Sequence, residues 1–338
     1  MRKTSRCGGR PTTISSLATY VPPHVLTNAD LEKMVDTTDE WIQQRTGIRE
    51  RHIVDRGVAT SDLGKEAALK AIANAGLTPD HIEVIIVGTV TPDMMFPSTA
   101  CLVQHKIGAH RAWGFDLSAA CSAFTYSLTT ASQIVASGGV EHALVIGADV
   151  MSSIIDYKDR ATCVLFGDGA GAAIVSATQD ESAGVILDFE HEVDGAGGAA
   201  LCMPAGGSRR PPSHESIDER QHYVKQDGAT VFKFAVRKTE EISRRILERN
   251  GLTPQDLNLF VSHQANRRII QSATEKLGVS PDKVIINIER FGNTTAATIP
   301  LALNDAMCSG RLKKGDLVLL ASVGAGFTVG TVLVRWGI

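Results

Sequence analysis

The chain of 338 residues lacks three features: a long apolar run, a paired-cysteine motif and a strong excess of either charge. No stretch approaches the roughly 18 apolar residues that a membrane span needs, so no membrane association is predicted. Lys and Arg number 34 against 37 Asp and Glu, and this balance argues against a nucleic-acid binder, which is usually strongly basic. The basic N-terminus is followed by no apolar segment, so we expect no signal peptide and a cytoplasmic location.

The six cysteines include no Cys-x-x-Cys pair, which argues against a zinc ribbon or a thioredoxin-like site, and no metal site is predicted. Without a secretion signal, the thiols are expected to be reduced. Most of them are expected to be small buried hydrophobic residues. The six are Cys7, Cys101, Cys121, Cys163, Cys202 and Cys308.

The length suggests two domains or one duplicated fold, and an internal repeat favours duplication. Residues 76–87 read GLTPDHIEVIIV and residues 251–261 read GLTPQDLNLFV, an offset of 175. Residues 142–147 (HALVIG) and 316–321 (DLVLLA) match at an offset of 174. In each copy of the first repeat, a helical pattern ends at a glycine, a proline blocks its continuation, and a buried strand follows.

Continuous apolar strands that alternate with helices predict α/β layers whose sheets are covered on both faces. We therefore predict a flexible extension at residues 1–11 and two similar halves, at 12–179 and 180–338. The segment from about 194 to 228 is rich in Gly, Pro, Ser and charge. It is predicted to be a surface excursion that forms a lid or a wall of a substrate entrance.

Cys121 is the first candidate for chemistry. A strand-like stretch at residues 113–117 leads through small residues into Cys121 and then into a helical pattern. A tight turn there puts the thiol at a helix N-terminus, where the positive end of the helix dipole is expected to favour the reactive thiolate. On position alone, a buried structural cysteine is the competing interpretation.

Three further strand ends carry candidate residues. His263 follows the strand of the second repeat, and strand ends are where open α/β sheets bind ligands. The loop around Asn293 follows a strand predicted at residues 284–287 and corresponds, by the repeat offset, to the Cys121 turn. The glycines beside Ala325 allow backbone N–H groups to approach a ligand, as an oxyanion hole requires. Taken singly, a structural histidine, a helix cap and a plain turn explain these three sites equally well.

Five ordered motifs resemble those of the β-ketoacyl-acyl-carrier-protein synthase III family, from about residue 12 to the C-terminus. They are residues 39–48 (DEWIQQRTGI), 119–124 (AACSAF), 166–172 (FGDGAGA), 263–266 (HQAN) and 292–294 (GNT). The resemblance implies a thiolase-type fold of two duplicated α/β halves in five layers, α-β-α-β-α, usually assembled as a homodimer. It also implies an acyltransferase whose substrates are acyl-CoA and malonyl-acyl carrier protein and which needs no cofactor.

By this resemblance, Cys121 is the nucleophile that takes an acyl group from CoA. His263 and Asn293 are expected to donate hydrogen bonds to the thioester carbonyl of malonyl-acyl carrier protein, stabilising the enolate left by decarboxylation. The enolate then attacks the acyl-cysteine in a Claisen condensation, which gives 3-oxoacyl-acyl carrier protein and initiates type II fatty acid synthesis. The backbone N–H groups of Cys121 and Ala325 are expected to form the oxyanion hole.

The resemblance also assigns residues to binding, in four groups. The residues that match positions around the CoA adenine and phosphates are Trp41, Arg45 and Arg160. Those that match the pantetheine tunnel are Phe232 and Asn266. Phe96 matches an aromatic residue of the family that reaches the acyl pocket of the partner subunit. This match hints at a short straight primer such as acetyl. Lys233 and Arg268 match basic residues that contact the carrier protein. The competing interpretation is that they are solvated surface charges.

Two positions depart from the family pattern. Ala325 stands where glycine is common, although its backbone N–H is retained. Residues 194–220 match no family motif; a position of this segment at the border of the pocket would leave the acyl specificity open.

Several other functions compete with this one. A ketosynthase III-like acyltransferase of secondary metabolism would pass the acyl group to a different nucleophile. A thiolase would need a second catalytic cysteine in the loop at Gly324, where neither Cys163 nor Cys308 falls. A non-catalytic partner subunit would typically lack the nucleophile. A Cys-His hydrolase is disfavoured by the five-motif match.

Overall fold

The computed structural model describes residues 9–180 and 184–338. Most of the predicted extension, together with Cys7, lies outside the described residues. The helices are α1 (Asn28–Leu31), α2 (Asp39–Thr46), α3 (Thr60–Asn74), α4 (Thr99–Ile107), α5 (Ala123–Ala136), α6 (Arg160–Cys163), α7 (His214–Asp218), α8 (Gly228–Arg249), α9 (Arg267–Leu277), α10 (Ile288–Phe291) and α11 (Thr298–Cys308). The strands are β1 (Thr12–Tyr20), β2 (Val25–Thr27), β3 (Glu50–His52), β4 (Val84–Gly88), β5 (Trp113–Leu117), β6 (His142–Asp149), β7 (Gly169–Ala177), β8 (Val185–Val193), β9 (Leu201–Cys202), β10 (Lys225–Gln226), β11 (Leu259–Ser262), β12 (Leu317–Gly324) and β13 (Thr328–Arg335).

Two mixed sheets form the framework. The first has the strand order β1-β7-β6-β4-β5, and the second has the order β8-β13-β12-β11. In the first sheet, β1, β7 and β6 pair antiparallel, and β6, β4 and β5 pair parallel. In the second, β8, β13 and β12 pair antiparallel, and β12 and β11 pair parallel. The two sheets therefore share one topology, as the sequence repeat predicts.

Helices cover both faces of each sheet. On the outer face of the first sheet lie α3 and α4, and on that of the second lie α8 and α9. Between the sheets lie α5 and α11, and the largest apolar core fills this central layer. Because each sheet is covered on both faces, its central strands are apolar throughout, as in the fully buried β4 and β12. The layers form the predicted α-β-α-β-α stack.

The repeat extends to single backbone angles. After each GLTP glycine the chain enters a 3₁₀ turn, Pro79–His81 in one half and Pro254–Asp256 in the other. Ala120 and Thr295, at an offset of 175 in the sequence, have positive φ angles of 48° and 49°. Each of them begins a 3₁₀ turn that leads into a central helix, α5 or α11. The two halves therefore begin their central helices in the same way.

The strand predicted at residues 284–287 is wrong. Only Val284 forms a bridge, to Phe260 of β11, and the chain turns into α10 at Ile288. The side chain of Gln264 provides hydrogen bonds here in place of a strand. Its Nε2 donates to the Ile285 carbonyl at 3.1 Å, and its Oε1 accepts from the backbone N–H of Asn287 at 3.1 Å. The edge strand that corresponds to β5 is thus reduced to one bridge in the second half.

A row of glycines lets the central helices approach the first sheet. The three are neighbours in strand register: Gly88, Gly147 and Gly171. A Cβ on Gly147 would lie 2.4 Å from the Ala296 carbonyl oxygen, and one on Gly171 would lie 2.3 Å from Cβ of Pro300. Both distances are far below van der Waals contact, so a larger residue would push away the start of α11.

The segment 194–228 is folded rather than an open loop. It contains α7 and a small antiparallel pair of strands, β9 and β10. Arg220 donates from Nε to Asp156 at 2.6 Å, and Val224 donates its backbone N–H to the Ile154 carbonyl at 3.0 Å. These contacts attach the segment to the first half.

We predict that Gly147→Ala destabilises the protein by about 1–3 kcal/mol, since overpacking at a well-packed site costs roughly that much. The free energy of unfolding from urea denaturation measures the effect. The control is Gly139→Ala, where the nearest atom to an added Cβ is 3.9 Å away. Equal stability of the two variants would show that the close approach of α11 is not a packing constraint.

Candidate active site

Cys121 lies in the 3₁₀ turn between β5 and α5. The loop between β12 and β13 packs directly against this turn. Thr328 donates from Oγ1 to the carbonyl of Ala119 at 2.8 Å, and a Cβ on Gly324 would lie 2.8 Å from the Cys121 backbone nitrogen. Two loops, one from each sheet, therefore meet at the thiol.

A cavity of about 240 Å³ runs inward from the exposed Arg45 to the buried Cys121. His263 and Asn293 also line it, so the structure brings together the three residues that were predicted to be catalytic. They come from three separate loops, after β5, after β11 and before α11. A ligand in this cavity would contact all three side chains.

Burial raises the pKa of the Cys121 thiol to about 12, and the negative charge of Asp149 acts in the same direction. This differs from the expectation that the helix N-terminus favours the thiolate. The helix end carries only about half a charge, whereas desolvation penalises the full charge of a thiolate. In the resting protein, Cys121 is therefore a neutral thiol.

His263 is a neutral imidazole. Its backbone N–H donates to the Ala321 carbonyl at 2.8 Å, and its Nδ1 lies 2.7 Å from Oγ1 of Thr298. Burial lowers the pKa of His263 to about 3. The ring thus has one N–H donor and one acceptor nitrogen near neutral pH.

Asn293 is held in one orientation. Its Oδ1 accepts a hydrogen bond from the backbone N–H of Thr295 at 3.0 Å. Its backbone donates to the Leu165 carbonyl at 2.9 Å and accepts from Gly167 at 3.1 Å. Because an N–H group can only donate, the first contact identifies the oxygen of the amide and leaves the NH₂ group available to a ligand.

The carboxylate of Asp149, at the end of β6, is buried and joins two loops of the site. Its Oδ1 accepts hydrogen bonds from Thr89, Val90 and Thr91, and its Oδ2 accepts them from Thr295 and Ala296. Burial raises the pKa of Asp149, and these hydrogen bonds oppose that effect. The sequence analysis missed Asp149, although an acidic residue at the end of an apolar strand is a usable signal.

A second cavity, of about 140 Å³, also reaches Cys121. Its walls are mostly apolar, and several of them come from the segment 194–228. This segment therefore forms part of a cavity wall; the sequence predicts for it a lid or a wall of a substrate entrance. The residues of that segment are Leu201, Cys202, Met203 and Val224. The remaining walls include Val90, Met151, Ile154 and Ala325. Apart from Ala325, no sequence motif marks these residues as neighbours of Cys121, because only the folded chain brings them together.

The mouth of the first cavity carries an aromatic ring and several cations. The Arg160 guanidinium lies 5.0 Å from the centroid of the Trp41 ring. Trp41 lines the cavity, whereas Arg160 stands beside it. Asn266 donates from Nδ2 to the Arg45 carbonyl at 2.9 Å and accepts from the backbone N–H of Arg268 at 2.8 Å. The side chain of Asn266 therefore holds the mouth together as well as lining it.

Lys233 and Arg268 are exposed near the same mouth. The Arg268 guanidinium lies 5.5 Å from the centroid of the Phe232 ring, which lines the cavity. Across residues 9–180 and 184–338, no ion pair engages Lys233, Arg268 or Arg45. Their positive charge is available to an anionic ligand.

Phe96 stands apart from the other predicted residues. It is 84% exposed and lines neither cavity that reaches Cys121. Its assignment to the acyl pocket of a partner subunit stays a prediction. Ala325, in contrast, lines the second cavity together with Cys121.

Two kinds of site are absent from the described part of the chain. No group of three or more His, Cys, Asp or Glu side chains there is arranged to hold a metal ion. No helix among the same residues is long and apolar enough to cross a membrane.

The layered fold and the cavity lined by cysteine, histidine and asparagine define a class of protein: a condensing acyltransferase of the thiolase fold. Family models of 3-oxoacyl-[acyl-carrier-protein] synthase III match residues 115–195, and models of its C-terminal part match residues 247–336. The chain belongs to this family, as its sequence motifs predict.

Relatives and solved structures agree with this assignment. The β-ketoacyl-[acyl-carrier-protein] synthase III of Koribacter versatilis is 59% identical over 96% of this chain and 97% of its own length. That of Solibacter usitatus is 60% identical over 96% of this chain and 98% of its own length. The crystal structure of the Aquifex aeolicus synthase III matches with a TM-score of 0.89 and 42% identity, covering 96% of this chain and 100% of that one. The Pseudomonas aeruginosa enzyme matches with a TM-score of 0.90 and 37% identity, covering 97% and 99%. The predicted thiolase-type fold is confirmed.

We predict that alkylation of Cys121 by iodoacetamide accelerates about tenfold per pH unit up to the highest pH at which the protein stays folded. Below its pKa the thiolate fraction of a thiol rises tenfold per pH unit, and the raised pKa of Cys121 lies above that range. Peptide mass spectrometry follows the modification, with Cys121→Ala as the control. A plateau near neutral pH would mean that the helix N-terminus outweighs burial.

Proposed function

We propose that the protein condenses a short acyl-CoA primer with malonyl-acyl carrier protein, releasing CO₂ and giving 3-oxoacyl-acyl carrier protein. The observation that carries this proposal is the convergence of Cys121, His263 and Asn293 on one cavity. The condensation initiates type II fatty acid synthesis, and we assign it to the cytoplasm. The names of the relatives support the same reaction.

In the first step, the Cys121 sulfur attacks the thioester carbon of the acyl-CoA. A new C–S bond forms, the bond to CoA breaks, and CoA leaves as a thiol with the proton of Cys121. The backbone N–H groups of Cys121 and Ala325 stabilise the tetrahedral oxyanion. The close approach of Gly324 to the Cys121 nitrogen supports this pairing of the two loops.

In the second step, His263 and Asn293 hydrogen-bond to the thioester oxygen of malonyl-acyl carrier protein. The bond to the carboxylate breaks, CO₂ leaves, and the electron pair moves onto that oxygen as an enolate. The enolate carbon attacks the acyl carbon, the carbonyl of the carrier thioester re-forms, and the Cys121 thiolate leaves and takes up a proton from solvent. Neutral donors suit this step because they stabilise developing charge without any proton transfer of their own.

The second cavity is our candidate for the acyl pocket. Its apolar walls, including Met151 and Val224, suit a hydrocarbon chain, and its volume of about 140 Å³ suits a short one. Cys121 lines both cavities. Its thiol can therefore take an acyl group from a CoA thioester in the first cavity and hold the acyl chain in the second.

The cations at the mouth suit phosphate and an acidic partner. Trp41, Arg45 and Arg160 are proposed to contact the CoA adenine and phosphates. Phe232 and Asn266 are proposed to line the path of the pantetheine. Since Lys233 and Arg268 have no ion-pair partner within the described ranges, we propose that they contact the acidic carrier protein.

We propose a homodimer built from two halves per chain, with the boundary at residue 179. β5 is an edge strand that pairs only with β4, and exposed edges are templates for pairing with another chain. Four large apolar side chains are exposed in the same part of the chain: Met94, Met95, Phe96 and Trp113. We propose that a second copy of the chain covers them and that Phe96 reaches the acyl pocket of that subunit, as the family resemblance implies.

We predict that acetyl-CoA leaves an acetyl mass on the protein, and that malonyl-acyl carrier protein then removes it. Intact-protein mass spectrometry with a panel of longer and branched acyl-CoAs ranks the primers. The Cys121→Ala variant should carry no adduct, whereas Cys308→Ala, at an exposed cysteine, should keep it. If no acyl-CoA modifies the wild-type protein, the proposed reaction is wrong.

We predict that Asn293→Ala slows malonyl decarboxylation about 100-fold, the usual cost of losing one such donor, and slows Cys121 acylation much less. Decarboxylation is measured as CO₂ release, and acylation as adduct formation. Asn74→Ala, in α3 and outside both cavities, is the matched control. The reverse pattern, with blocked acylation and intact decarboxylation, would contradict the role assigned to Asn293.

A further inference from the structure

We propose that Thr298 is a positioning residue for catalysis: its hydroxyl donates to Nδ1 of His263 and thereby holds the imidazole in the tautomer that carries its proton on Nε2. The proposal rests on the proposed function, because that reaction gives the histidine N–H its use. Thr298 touches no substrate and acts only through His263.

The contact is short and shielded from water. Oγ1 of Thr298 lies 2.7 Å from Nδ1 of His263, and both residues are buried. Thr298 is the first residue of α11, and its side chain reaches back to the end of β11, where His263 begins the next loop. A hydrogen bond in such a site is not exchanged for one to solvent, so the hydroxyl is a permanent partner of the ring.

The direction of this hydrogen bond is inferred from two distances. The hydroxyl has one proton and two acceptors in reach: Nδ1 of His263 at 2.7 Å and the Thr295 carbonyl at 3.2 Å. The Thr295 carbonyl also accepts the backbone N–H of Thr298. We assign the hydroxyl proton to Nδ1 because that contact is the shorter one and the carbonyl already has another donor.

The other ring nitrogen is the one left for the substrate. Within residues 9–180 and 184–338, Nε2 of His263 makes no hydrogen bond, and the side chain lines the cavity beside Cys121. A neutral imidazole has one N–H, so fixing Nδ1 as an acceptor makes Nε2 the donor. The same logic applies to Asn293, whose oxygen is engaged by Thr295 and whose NH₂ group is free.

Two side chains thus present N–H groups to the cavity that Cys121 lines. If the proton were on Nδ1 instead, the lone pair of Nε2 would face the thioester oxygen and repel the negative charge that develops there. Holding a catalytic imidazole in the correct tautomer is a known function of a neighbouring side chain in other enzymes. Loss of the Thr298 hydroxyl should therefore affect enolate formation rather than the attack of Cys121.

The test compares Thr298→Val, which keeps the branched shape and loses the hydroxyl, with Thr298→Ser, which keeps the hydroxyl and loses a methyl group. We expect Thr298→Val to slow malonyl decarboxylation about 100-fold, as for a lost oxyanion donor, and to slow acylation of Cys121 much less. Thr298→Ser should recover most of the decarboxylation rate. Equal rates for Thr298→Val and the wild type, or equal losses in both variants, would overturn the proposal.

A second measurement reads the tautomer without any reaction. In protein labelled with ¹⁵N-histidine, NMR distinguishes a protonated from an unprotonated ring nitrogen, and His263→Gln identifies the signals. We expect Nε2 protonated and Nδ1 unprotonated in the wild type and in Thr298→Ser, and a changed distribution in Thr298→Val. A proton on Nδ1 in the wild type would overturn the proposal even if the variants lose activity by misfolding. If NMR shows the expected tautomer but no acyl-CoA modifies the protein, the proposed function is wrong and the tautomer assignment still holds.

Discussion

The close approach of two helix starts to the first sheet is the constraint on which the site depends. Gly88 and Gly147 leave no side chain beneath the turns, and a Cβ on Gly88 would lie 2.8 Å from Cβ of Ala123, the first residue of α5. The turn before α5 carries Cys121, and the turn before α11 follows Asn293. Two pieces of chain that are distant in sequence are therefore held against one row of glycines. The duplication supplies this arrangement, because each half contributes one such turn.

The Asp149 carboxylate joins the turn before α11 to the loop after β4 at an electrostatic cost. Burying a charge is unfavourable unless hydrogen bonds replace its water, and here hydroxyl and backbone donors from both sides do so. Its charge then acts on the site, since it adds to burial in raising the pKa of Cys121. The same contact holds Thr295, whose N–H orients Asn293. One carboxylate thus supports the position of a donor and keeps the resting thiol neutral.

Much of the fold could be predicted from the sequence, because a repeat at a fixed offset implies two copies of one topology. The positions of Cys121 and His263 at strand ends were also predictable, whereas Asn293 follows α10 and not the strand that the sequence predicts. The state of the thiol was not, because it depends on desolvation and on Asp149, which only the folded chain brings near. The walls from the segment 194–228 and the loss of the strand at residues 284–287 depend likewise on contacts between remote residues.

The electrostatics of the site separate the two half-reactions. Burial keeps His263 neutral down to acidic pH, with a pKa of about 3, and the Asn293 amide does not titrate. The donors proposed for enolate formation therefore do not change their charge near neutral pH. The Cys121 thiol is the group that must lose a proton, and its raised pKa makes that loss unfavourable before substrate enters. In the proposed acyl transfer, the proton of the Cys121 thiol ends on the sulfur of CoA. Cys121 therefore does not have to be a thiolate before the substrate binds. The same burial that keeps the resting cysteine protonated also shields the proposed acyl-cysteine from water.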